Sequence, residues 1–250
     1  MNQIQLFDVD GTLTYNAVDK PQAQTIYPTY GYWPLLSSQL CKNKNRFRKA
    51  VLRWEKTMRS ETDPDASSFK MMALAVREHL RDEVDAETLR QTAREITQNF
   101  IKYDVMQLPA LEYINRCLEK NIYCVLTTGS YLDGLRGMVD ILQEQHLLLK
   151  SDYLFLNGAE IDWTTRELLH ANIGQYKVNK LLQTLQDKKI TPYTIAAAFG
   201  DDPYVNDKAI LEQAPAGCAF VIKSKKNMRG GFSENFVATT WLDILHLIPG

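Results

Sequence analysis

Two apolar runs, Ile4 to Val9 and Ile122 to Thr127, each stop at polar residues, and residues 15–104 between them lack strand periodicity. Phe47, Val51, Trp54 and Met58 repeat at helical spacing. Leu89, Ala93, Ile96 and Phe100 do the same after an N-cap candidate at Asp85, and Ser68 to Leu80 makes a third helix. Two strands of one sheet are thus separated by a long helical excursion. The segment TIYPTYGYWPLL opens that excursion with Tyr, Trp, Pro and Gly crowded together, which predicts an irregular, aromatic-lined loop around Tyr27 to Trp33.

Beyond Pro109, a good first-turn residue, strands and helices alternate. Strands are predicted at Tyr153–Leu156, Tyr193–Phe199 and Cys218–Ile222, and helices near 131–145, 175–187, 205–214 and 239–247. This alternation predicts an α/β fold with a doubly wound parallel sheet, whose ligands bind at the carboxyl ends of the strands. The length of 250 residues allows such a core and a second, smaller unit.

Composition narrows the function. A hydrophobic content of 45% with 24% charged residues excludes a disordered or collagenous chain. With 29 basic and 30 acidic residues the net charge is -1, so no overall field draws the chain to nucleic acid or an anionic membrane. Cys41, Cys117, Cys124 and Cys218 form no CxxC and no cluster with histidine, so neither a zinc ribbon nor a disulfide framework is expected. The opening MNQIQLFDVDG lacks the apolar stretch of a signal peptide, and no run is long enough to span a membrane, so a cytoplasmic location is expected. Oligomeric state has no signature here.

Four polar sets follow four predicted strands, and a doubly wound sheet would gather them. Asp8 and Asp10 stand in FDVDGTLT; paired carboxylates can share a hard cation or divide nucleophile and proton-donor roles. Thr127, Thr128, Gly129 and Ser130 end CVLTTGS, where a hydroxyl and backbone N–H groups at a helix start can hold phosphate oxygens. Lys177 and Lys180 lie in GQYKVNKLLQTL. Asp201, Asp202 and Asp207 lie in FGDDPYVNDKAIL.

The string DxDGTLT resembles the first motif of the haloacid dehalogenase (HAD) superfamily, and the other three sets stand where its later motifs stand. The resemblance, closest to phosphoserine-phosphatase-like members with a helical C1-type cap, implies a HAD/Rossmann-like core at 1–14 and 105–250 and a helical cap at 15–104. It implies that Asp8 attacks phosphorus to give an aspartyl-phosphate, and that Asp10 protonates the leaving group and then deprotonates water. Thr128, with Thr127 as competitor, and Gly129 would bind phosphate. Lys177 would balance the charge of nucleophile and phosphate. Mg2+ would be held by Asp8, the Asp10 carbonyl and Asp201. The fourth motif departs from the family's GDxxxD or GDxxxxD spacing, since Asp201 to Asp207 is six positions, so Asp202 and Asp207 both stay open as its second acid. A magnesium-dependent phosphatase acting on a small phosphate ester is the expected function. A second acid at Asp10 disfavours dehalogenation. A phosphomutase or phosphonatase shares the same core, and a HAD-fold binding or regulatory protein with weakened turnover is the rival from another class.

The expected cap is basic at one place. Lys42, Lys44, Arg46, Arg48, Lys49, Arg53, Lys56 and Arg59 oppose a single acid, Glu55, and Arg46, Lys49, Arg53 and Lys56 share a helix face. This face is either solvated or meets a second anionic group of the substrate. A further basic stretch follows the strand in AFVIKSKKNMR.

Overall fold

The computed structural model of the chain describes residues 1–15, 32–58, 64–224 and 231–246. Tyr27, Tyr30, Arg59 and the bases at 225–229 lie outside them.

The α/β architecture is as expected. Strand β1 (Asn2–Asp8) is central in a seven-stranded sheet. To one side lie β2 (Tyr123–Tyr131), β3 (Leu154–Asp162) and β4 (Glu167–His170); to the other lie β5 (Tyr193–Gly200), β6 (Ala219–Ile222) and β7 (Phe236–Thr239). All pairs are parallel except β3 with β4, an antiparallel edge hairpin. Because β1 pairs with β2 on one flank and β5 on the other, the winding direction reverses at its carboxyl end, where a crevice forms.

The insertion between β1 and β2 consists of α1 (Tyr32–Leu40), α2 (Lys44–Met58), α3 (Pro64–Leu74), a π-helical turn (Ala75–His79) and α4 (Ala86–Lys102). Asp85 caps α4 as expected, its side chain accepting from the Thr88 N–H at 2.7 Å. Tyr32 and Trp33 are helical rather than in a loop: Pro34 falls in the first turn of α1, where no backbone donor is needed. After α5 (Leu108–Glu119) the remaining helices are α6 (Leu132–Glu144), α7 (Gln175–Asp187), α8 (Lys208–Leu211) and α9 (Trp241–Ile244). The last two are far shorter than predicted, and β4 and β7 were not foreseen. Four-residue edge strands are too short for an alternation to stand out.

One continuous apolar core joins the insertion to the sheet, running from Phe7 and Leu13 through Tyr32, Leu36 and Leu89 to Tyr131 and Leu135. Helix α4 lies tightly on α6, where a Cβ on Gly137 would come within 2.2 Å of the Arg90 carbonyl oxygen. A third tie comes from the hairpin turn. The Arg166 guanidinium donates to the carbonyls of Val76 (2.9 Å), Val84 (3.2 Å), Asp82 (3.3 Å) and Leu80 (3.4 Å). Val76 and Leu80 belong to the π-helical turn and its cap, and Asp82 and Val84 to the turn that leads into α4, so one guanidinium ties together the whole connection between those helices. Among the described residues, no helix is long and apolar enough to cross a membrane.

Candidate active site

The first turn after β1 is built from its own threonines. The Val9 carbonyl accepts from the N–H groups of Thr12 (3.4 Å), Leu13 (2.9 Å) and Thr14 (3.3 Å), while the Gly11 N–H donates to Thr14 Oγ1 at 3.2 Å. Thr12 Oγ1 donates to Asp8 Oδ2 at 3.1 Å. From outside, Trp241 Nε1 and Gln107 Nε2 both donate to the Thr12 carbonyl, at 2.8 and 3.0 Å. Beneath the turn Phe7 stacks on Phe199 at 4.8 Å and Phe199 on Trp241 at 5.0 Å. Asp8 is thereby held on a rigid, dry base.

Strand register puts Asp8 beside Thr127 and brings the end of β5 against β1, so residues distant in sequence converge. Lys177, in the first turn of α7, is buried and donates to Asp8 Oδ1 at 2.7 Å and to Asp207 Oδ1 at 2.6 Å. Asp201 completes the cluster: Asp8, Asp201 and Asp207 are all buried and offer carboxylate oxygens within 4.8 Å of one another. Burial, followed by the Asp207 charge, raises Asp8 well above the usual carboxylate range, against the pull of Lys177. For Lys177 burial works against the charge, but Asp207 and Asp8 outweigh it and the net shift is upward. Lys177 is therefore an ammonium at neutral pH.

The two acids left open in the fourth motif have different places. Asp207 curls back so that its Oδ2 accepts from the N–H groups of Asp201 (3.0 Å) and Asp202 (2.9 Å). A Cβ on Gly200 would lie 2.6 Å from the Asp207 Cβ, so the strand must end in glycine for this loop to close. The Asp202 carboxylate instead accepts from the N–H groups of Tyr204 and Val205, both at 3.3 Å, and is not in the cluster. Asp10 is also outside it. Its Oδ2 accepts from the Tyr32 N–H at 2.7 Å, at the start of α1, so the insertion fixes that carboxylate.

Thr127 and Thr128 are both buried. Thr127 Oγ1 accepts from Asn172 Nδ2 at 2.8 Å, and Thr128 Oγ1 accepts from the Ser130 N–H at 3.0 Å. Gly129 lies between Thr128 and Ser130, near the end of β2. Asn172, fully buried, also donates to the Thr128 carbonyl at 2.8 Å and so locks this strand end. No sequence pattern pointed to Asn172. Nor did any point to Asp65 of α3, whose Oδ2 accepts from the Gln175 N–H at 3.0 Å, two residues from Lys177. Lys180 pairs with Glu160 at 2.5 Å, away from the cluster, which removes it as an alternative to Lys177.

The fit of a divalent cation can be tested on charge. Three buried carboxylates face one ammonium, which leaves negative charge that an isolated dry site does not tolerate. An all-oxygen carboxylate set also suits a hard cation.

A doubly wound sheet with a helical insertion after its first strand and an acidic cluster at the switch point is the arrangement that the resemblance to the haloacid dehalogenase superfamily implied. Solved structures share this fold with the chain. It is similar to a protein of unknown function from Bordetella pertussis Tohama I (14% identity over 96% of this chain and 99% of that one, TM-score 0.60). It is similar also to cytosolic 5'-nucleotidase IIIB bound to cytidine (14% identity, 99% and 85%, TM-score 0.58). A third is a phosphoserine phosphohydrolase-like protein from Francisella tularensis subsp. tularensis SCHU S4 (15% identity, 100% of both chains, TM-score 0.53). No protein-family model matches the sequence. No curated protein matches it either.

Proposed function

We propose that the chain is a phosphoric monoester hydrolase acting on a small phosphorylated metabolite, with residues 1–14 and 105–250 as catalytic core and 15–104 as cap. One observation carries the reading: a buried Asp8, bound by Lys177 and flanked by Asp201 and Asp207, at the carboxyl end of the central strand. The printed descriptions of the structural neighbours, a nucleotidase and a phosphoserine phosphohydrolase-like protein, support a phosphate ester as the substrate class.

Asp8 attacks phosphorus in line; an Asp8 oxygen–phosphorus bond forms as the ester oxygen–phosphorus bond breaks. The leaving oxygen takes its proton from Asp10. Water then attacks the aspartyl-phosphate, gives a proton back to Asp10, and releases phosphate and the Asp8 carboxylate. Asp10 suits this exchange because the Tyr32 N–H orients its carboxylate two residues from the nucleophile. Lys177 offsets the repulsion between an anionic nucleophile and an anionic ester. Thr128 and the Gly129 backbone, at the end of β2, are the proposed phosphate contacts. Mg2+, held by Asp8, Asp201 and Asp207, would supply Lewis-acid stabilisation of the phosphoryl charge. Asp207 replaces Asp202 in this set.

The test is hydrolysis of p-nitrophenyl phosphate and a panel of phosphorylated metabolites. Turnover is expected with magnesium, to vanish with EDTA, and to fall at least about 10³-fold in Asp8→Asn. Equal rates in wild type and Asp8→Asn on every substrate would overturn the reading.

A further inference from the structure

A groove of about 490 Å³ lies on the insertion, lined by α2 and the π-helical turn and in the size range of small-molecule sites. None of the acidic-cluster residues lines it. Its position follows from α1, which spans nine residues or about 13 Å. One end of α1 is Tyr32, bonded to Asp10; just beyond the other end, Cys41 bridges to Leu80 and the Lys42 N–H donates to the His79 carbonyl at 2.7 Å. The His79 end of the groove is thus a helix length from the proposed reaction centre.

The lining has the chemistry of an anion site. Arg46, Lys49 and Arg53 follow one another along one face of α2 and all line the groove. Glu78 is the acid among the lining residues, 3.8 Å from Arg46, and Lys49 has no ion pair among the described residues. His79 is the second, independent sign. It is only 5% exposed as a residue, lies edge-on to Phe47 and lines the groove; its ring nitrogens have no hydrogen-bond partner among the described residues and are not among the buried unpartnered atoms, so they are open to the groove. An imidazole held in place by Phe47 with its nitrogens open to the groove can hydrogen-bond to whatever anion the groove takes.

We propose that this groove binds a small phosphorylated anion, gripped by Arg46, Lys49 and Arg53, with His79 hydrogen-bonding to it. The cationic row covers only two helical turns, too short a track for a nucleic acid backbone and matched to one or two phosphate groups. Burial, and then the Arg46 charge, hold His79 below its ordinary pKa, so a bound anion would act directly on this ring. The site is separate from the acidic cluster and does not depend on the phosphatase reading.

The chain has four histidines, so their ring resonances can be followed individually in long-range 1H–15N spectra. Inorganic tripolyphosphate, titrated without metal, is expected to move the His79 signals saturably with a dissociation constant below about 1 mM. Arg46→Ala with Lys49→Ala is expected to weaken this at least about tenfold and to leave p-nitrophenyl phosphate turnover unchanged. Arg46→Lys with Lys49→Arg is expected to retain binding, and Asp8→Asn to bind as the wild type does. Still His79 signals overturn the proposal. So do equal affinity in the alanine pair, loss of binding in Asp8→Asn, or a response to a DNA oligonucleotide but not to tripolyphosphate.

Discussion

Two ion pairs of equal length show how differently the two regions of this molecule use charge. Lys177 meets Asp8 at 2.7 Å with side chains 1% and 4% exposed, whereas Arg94 of α4 meets Glu144 of α6 at 2.7 Å with the glutamate 53% exposed. In the first, three carboxylates and one ammonium are packed together with almost no exposure, so each depends on the others to offset its charge. In the second, water solvates the partners whether or not they meet. Removing a buried charge therefore strands its partners, while removing a surface charge frees them. Lys177→Met tests this most severely. It leaves Asp8 and Asp207 buried without a cation, and the expected loss in urea unfolding is about 3–5 kcal/mol. A loss under about 1 kcal/mol, as for an exposed pair, would break the contrast.

Arg166 stands between these extremes, half-buried, with four carbonyls of the insertion around one guanidinium. Arg166→Ala leaves these carbonyls unpaired between the π-helical turn and α4, and a loss of about 2 kcal/mol is expected by thermal or urea unfolding. Arg166→Lys should recover little of it, because a single ammonium cannot fork across four acceptors. Full recovery by lysine would mean that charge at this connection, not hydrogen-bond geometry, holds the insertion to the β3–β4 hairpin.

What was legible in the sequence follows from the reach of each interaction. Asp8, Lys177 and Asp201 could be singled out because each stands where the resemblance puts a motif residue, and the structure sets each at a strand end or in the first turn of a helix. Asp207 stayed open because its place depends on a loop that returns its carboxylate to the amides of Asp201 and Asp202, a closure that spacing does not encode. Asn172, Asp65 and Arg166 were not seen at all. Their partners lie across the fold, 44, 110 and 90 residues away. In the helical insertion the apolar repeats located α2 and α4, yet the tight turn-rich opening concealed that Tyr32 begins a helix and fixes Asp10.

The smallest expected effect is the most exacting check of the comparison. Arg94 lies 2.7 Å from Glu144 and 3.8 Å from Asp140, and Arg90 reaches the same Asp140 oxygen at 2.6 Å. Arg94→Ala removes a good hydrogen bond, but Asp140 keeps Arg90 and Glu144 returns to water. The expected loss is therefore only about 0.2–1 kcal/mol, and it should shrink further in about 1 M NaCl, where the screening length falls to roughly 3 Å. Unfolding of wild type and Arg94→Ala at low and high salt reads both numbers. If Arg94→Ala cost as much as Lys177→Met and salt left the cost unchanged, pair distance rather than burial would govern these interactions. The tight α4–α6 contact at Gly137 would then be stabilised by charge more than by close packing.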